Sequence, residues 1–252
     1  SLGLVGSEMC IRDSIKVVSW INGISAGTVR LLSTSTLTST TPITSRGSVE
    51  FSSLSGATSL SGNTAAAGSV TIRGAAVTVN GNQTTTNSGD ITVTASGNYS
   101  GSGALSSAGF ISITAAEAIV GAGMQANSDL DIVSTSLTVT RNLTATVGRI
   151  YLKSTENIVV QAGSSNSSKT NIQAPAGNIT LHSDSDGNND GYIWIQNFSN
   201  ISTGSGGGDI LLQEDQTPIL VSQRPQVPMA HIALDCNSVS YTHLTLPTNR
   251  EV

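Results

Sequence analysis

The sequence predicts an all-β fold, a right-handed parallel β-helix (β-solenoid) with coils of about 20 residues. Three observations carry that expectation. A five-residue signature recurs at near-constant spacing, it contains two aliphatic columns, and no helical period runs between its copies.

The signature is a Gly, any residue, an aliphatic, any residue and a second aliphatic. It reads GTVRL from Gly27, GSVEF from Gly47, GSVTI from Gly68, GDITV from Gly89 and GFISI from Gly109. It continues as SDLDI from Ser128, GRIYL from Gly148, GNITL from Gly177, GYIWI from Gly191 and GDILL from Gly208. The steps are 20, 21, 21, 20, 19 and 20 residues, followed by 29, 14 and 17.

The first column holds Val29, Val49, Val70, Ile91, Ile111, Leu130, Ile150, Ile179, Ile193 and Ile210. The second holds Leu31, Phe51, Ile72, Val93, Ile113, Ile132, Leu152, Leu181, Ile195 and Leu212. Side chains two apart on a strand share a face, so both columns point inward. The residue between them varies freely through Arg30, Glu50, Thr71, Thr92, Ser112, Asp131, Tyr151, Thr180, Trp194 and Leu211, and faces outward. A weaker second strand follows in several repeats, as around Val77 and Ile119, from Leu137 and from Asn157. Each coil is therefore expected to hold two or three short strands joined by Gly, Ser and Asn corners. One coil cannot bury its own aliphatic row, whereas stacked coils join the rows into one core. An antiparallel sandwich or barrel is the competing architecture, but its strands have no reason to share one signature.

The regularity breaks in two places. Gln161 to Gly177, QAGSSNSSKTNIQAPAG, is expected to bulge as a polar loop or extra turn. After Leu212 the pattern fades into a stretch with Pro218, Pro225 and Pro228, where proline removes ladder donors. Residues 15 to 26 are expected to form a partial first coil. Ser1 to Ser14, SLGLVGSEMCIRDS, and Val239 to Val252, VSYTHLTLPTNREV, resemble translated sequencing-adapter sequence and are set aside as non-native tails. Cys10 and His243 leave the functional argument with them. The expected organisation is a tail at 1–14, a solenoid at 15–214, an irregular coil or linker at 215–238 and a tail at 239–252.

Composition narrows the function. Only 11% of residues are charged and 4% aromatic, and the net charge of −5 has the wrong sign for a nucleic-acid partner. No apolar run approaches the length that spans a bilayer. Two cysteines give neither a disulfide framework nor a metal-ligand spacing.

The sharpest local motif is DSDGNNDG, Asp184 to Gly191. Asp186, Asn188 and Asp190 have the oxygen-ligand spacing that opens a calcium loop, with the turn glycine Gly191 and Ile193 after them. Position twelve is Asn197, where a bidentate Glu belongs, and no helices flank the segment. An acidic turn is the preferred reading, and no cofactor is expected beyond weak calcium.

Catalysis is not expected. Glycoside hydrolysis needs two carboxylates across one sugar. The outward column supplies only Glu50 and Asp131, several coils apart, while Asp90, Asp129 and Asp209 read as corner residues. His182 and His231 have no nucleophile or acid placed beside them, and Arg149 and Lys153 bracket a solvated strand face. Thr-rich strands such as that at Thr138 suggest an ice-binding array, which the Arg, Glu, Asp, Tyr and Trp of the outward column oppose. Sequons such as Asn142 and Asn178 follow from an Asn- and Thr-rich composition.

The segments GDITVTASG, GRIYLKSTENIVVQAG and GNITLHSDSDGNNDGYIWIQNFSNISTGSGGGDILL resemble repeats of filamentous-haemagglutinin-type exoproteins and autotransporter adhesins. The likeness covers about 27 to 212. It implies an internal piece of a very large exported precursor at the bacterial cell surface, structural and adhesive rather than catalytic. Partners would be host or neighbour-cell glycans or proteins and the flanking coils of the same precursor. Tyr151, Tyr192 and Trp194 are the aromatics to test for contact. The competing reading is a carbohydrate-active β-helix, a polysaccharide lyase or glycosidase, with its catalytic coils elsewhere.

Overall fold

The computed structural model describes residues 28–161, 169–188, 190–196, 199–204 and 208–214, with strand segments at 9–10, 15–17, 21–24, 220–221 and 232–236. Regular structure among these residues is β-strand, and every pairing between coils is parallel. The chain is a β-solenoid.

Among the described residues a coil with separate strands carries three, as in Val70–Gly74, Val77–Val79 and Gln83–Thr85. The first ladder runs in unbroken register through Val29, Val49, Val70, Ile91, Ile111, Leu130, Ile150, Ile179 and Ile210. The coils between Val29 and Ile150 are therefore 19 to 21 residues long. The second ladder runs through Leu37, Thr58, Val77, Tyr99, Ala118, Leu137, Ile158 and Ile193. In two coils the first and second strands fuse into Ile111–Val120 and Leu130–Val139, which joins the two ladders into one sheet. The third ladder is a separate nine-stranded sheet running from Ile21–Ile24 to Ser199–Thr203.

Burial alternates along nearly every strand. Val49–Ser53 and Ile150–Ser154 are buried at their first, third and fifth residues and partly exposed between. Val70, Ile91, Ile111 and Ile150 are fully inaccessible, as are their partners two residues on or nearly so. Second-ladder Leu137 and Val139 and third-ladder Leu143 and Ala145 close the same interior. The aliphatic columns form one dry core along the axis, which is the burial that offsets chain ordering in a repeat architecture.

One part of the column assignment is corrected. Ile193 and Ile195 are buried, but they stack on Ile158 and Val160 in the second ladder. The first-ladder partner of Ile179 is Ile210. The last two coils are thus 29 and 31 residues long, from Ile150 to Ile179 to Ile210, with no step of 14. Gly191 mimics the start of a coil because the acidic insertion before it ends at a corner like the others.

The corners hold coils together through side chains as well. Ser48 Oγ accepts the N–H of Ser69, and Ser69 Oγ that of Asp90; Asp90 Oδ1 then accepts from Phe110. Asn63 and Asn82 repeat the pattern one corner away, each capping the N–H one coil on. Of the stretch expected to bulge, Thr170–Ala174 is instead a third-ladder strand paired with Ser199–Thr203, and residues 162–168 lie outside the described residues. Leu220–Val221 stacks on Trp194 and Ile195, and Ile232–Cys236 on Ile210–Glu214.

Candidate functional site

Stacking divides the polar side chains into those that hold the rod together and those that line its faces. Several carboxylates and the Asn178 amide fall in the first group. Asp129 Oδ1 accepts the Arg149 N–H at 2.9 Å, and Asn178 Oδ1 the Asp209 N–H at 3.0 Å. Glu50 pairs with Arg30 at 2.8 Å, one coil below it. Asp131 holds the Arg149 guanidinium at 3.3 Å, with Asp129 at 3.7 Å. That guanidinium lies 5.4 Å from the centroid of the Tyr151 ring, a cation–π contact. Glu50 and Asp131 stand four coils apart in one column, about 19 Å at the usual strand spacing. Glycosidase carboxylates lie about 5 to 9.5 Å apart.

His182 follows Lys153 in the outward column, a neighbour that the long step between their coils hides in the sequence. His231 lies outside the described residues.

The acidic insertion makes the corner between the first and second strands of its coil. Asp184 is fully buried at φ 50°, and Gly187 is at φ 69°. Gly191 is required there, since a Cβ would meet the Glu156 carbonyl oxygen at 2.6 Å and the Asp184 nitrogen at 2.7 Å. Asn188 donates from Nδ2 to Asp186 Oδ2 at 3.1 Å, and its Oδ1 accepts the Asp190 N–H at 2.9 Å. Asp186, Asn188 and Asp190 are exposed, and Asn197 lies outside the described residues. Among the described residues no group of three or more His, Cys, Asp or Glu is arranged to hold a metal ion.

The outer side of the second ladder carries two of the exposed large apolar residues, Ile119 and Trp194. Its outward residues are Thr38, Ser59, Thr78, Ser100, Ile119, Thr138, Val159 and Trp194, one per coil. Ile119 is 50% exposed and Trp194 38%. Tyr192 lies beside Trp194, so two of the three aromatics singled out in the sequence share this face, whereas Tyr151 sits on the first ladder under Arg149. The signature at Gly191 puts Trp194 in the first-ladder column with Tyr151, whereas its register partner is Val159 in the second ladder.

No protein-family model, curated protein or solved structure matches the chain. The class defined by the fold is a parallel β-solenoid, an architecture that serves structural rods and β-helix enzymes alike.

Proposed function

We propose that the chain is a rod segment of a large exported bacterial surface protein, structural and adhesive, with no catalysis in these coils. The observation that carries this reading is the use made of the carboxylates. Asp90 and Asp129 cap backbone N–H groups, Glu50 and Asp131 pair with arginines one coil away, and Asp184 and Glu214 are buried. That distribution suits a shaft stabilised coil by coil. The likeness of GDITVTASG and GRIYLKSTENIVVQAG to filamentous-haemagglutinin-type repeats supplies the surface location and the export of a longer precursor. Partners on this reading are glycans or proteins of a host or neighbouring cell and the flanking coils of the same fibre.

Two assays test it. Displayed on a non-adherent bacterium, the segment confers attachment to host or neighbour cells. Incubated with plant, algal and bacterial polysaccharides, the purified protein releases no reducing ends. Release that is abolished by Asp131→Ala or Asp209→Ala replaces the rod with a carbohydrate-active enzyme.

A further inference from the structure

We infer that the strip formed by Thr138, Val159 and Trp194, widened by Tyr192, binds a neutral glycan chain lying along the rod axis. The inference rests on the adhesive reading above and names its ligand class. The three column residues follow one another in register, one per coil. Burial alternates through Gly191, Tyr192, Ile193 and Trp194, which sets both aromatic side chains on the outer side of the same segment.

The chemistry around them is uniform. Ser136 and Thr140 flank Thr138, Asn157 and Gln161 flank Val159, and Gln196 follows Trp194. None of these nine positions holds Asp, Glu, Lys or Arg. Glu117, beside Ile119, marks the lower limit of the uncharged strip. A pyranose offers a C–H face and a rim of hydroxyls. Ring faces carry negative quadrupole density that attracts the first, and amide and hydroxyl side chains pair with the second. An acidic polymer would shed hydration along the strip and find a compensating cation at its edge alone, in Arg141, whose guanidinium donates to the Thr140 carbonyl.

Size also selects the occupant. A three-residue strand is about 10 Å wide, and three coils rise about 10 Å between first and last, so the strip covers on the order of 100 Å². A specific protein partner needs about 800 Å² on each side. One linear sugar chain fits that width.

The test uses the chain with Trp20→Phe, which leaves Trp194 as the sole tryptophan. Its fluorescence is titrated with cello-, manno- and xylo-oligosaccharides, and with oligogalacturonates as charged comparators. The expected result is a saturable shift with at least one neutral series, weakened about tenfold by Tyr192→Ala and unchanged by Thr78→Ala in the polar half of the column. Equal thermal midpoints show that the variants remain folded. Three results overturn the site: no saturable change with a neutral oligosaccharide at millimolar concentration, tighter binding of oligogalacturonate, or an unaffected Tyr192→Ala. Surface display separates this failure from that of the wider reading. Attachment that persists undiminished in Trp194→Ala sinks the glycan strip alone, including in favour of a protein ligand, whereas failure of the unsubstituted segment to attach sinks adhesion itself.

Discussion

The Tyr99 hydroxyl occupies the space that a side chain at Gly101 would fill: a Cβ there would lie 2.4 Å from the hydroxyl oxygen. Tyr99 is 1% exposed, and its hydroxyl has no hydrogen-bond partner among the described residues. Burial pushes its ionisation well above the ordinary tyrosine range. The ring is accommodated because Ala118, its neighbour one coil on, is small. Gly101→Ala should therefore destabilise by about 2 kcal/mol through overpacking. Tyr99→Phe should stabilise by about 1 kcal/mol, since a buried hydroxyl without a partner disappears. In the double variant the alanine penalty should shrink, which chemical denaturation of all four proteins will show.

Corner caps should matter more than surface ion pairs. Asp90→Ala removes the acceptor of the Phe110 N–H and should cost about 1 kcal/mol, in the range of helix N-caps. Glu50→Ala breaks a partly exposed pair with Arg30 and should cost between about 0 and 1 kcal/mol. Added salt should narrow the second cost and leave most of the first, as urea melts at low and high ionic strength will report.

Glu214 takes over a backbone role. The N–H that opens a second strand elsewhere donates to a carbonyl of the next coil, as from Leu137 to Asn157 and from Ile158 to Tyr192. Ile193 donates instead to the Glu214 carboxylate Oε1, at 2.6 Å. Glu214→Leu leaves that buried donor without this acceptor and should cost about 2 kcal/mol, whereas Glu214→Gln keeps an amide oxygen there and should cost less. Amide exchange at Ile193 should accelerate in the leucine variant alone.

The acidic corner should be indifferent to calcium. Asn188 turns its amide nitrogen toward Asp186 and spends its oxygen on the Asp190 N–H, so the ligand spacing serves a turn. Millimolar calcium or EDTA should leave the thermal midpoint unchanged; a concentration-dependent rise with calcium would indicate a site.

Much of the fold was legible because a solenoid repeats its physics. Val70, Ile91, Ile111 and Ile150 had to be inward once the same alternation appeared at a 20-residue step, and all four are fully buried. The third ladder was harder to read. Its inward positions include Thr64, Gln83 and Thr85; the Gln83 amide nitrogen donates to the Gly81 carbonyl and the Thr85 hydroxyl to that of Gly89, and a hydrophobic pattern passes over such polar positions. The coil of Ile179 was misread because an insertion between two strands ended in Gly191-x-Ile-x-Ile. That one shift put Trp194 on the wrong ladder and concealed its place above Val159. Asp90 and Asp129 were readable as corner residues, yet what they cap is set by the neighbouring coil.

Distances along one outward column test the stacking most directly. With Cys10 and Cys236 replaced, nitroxides are placed on cysteines substituted at Thr71 with Thr180, and at Thr71 with Leu211, and measured by pulsed electron resonance. Five and six parallel steps separate these pairs, which predicts spacings centred near about 24 Å and about 29 Å, each broadened by the label linkers. Spacings that fail to lengthen from the first pair to the second, or that fall well short of these values, would contradict a rod of parallel coils.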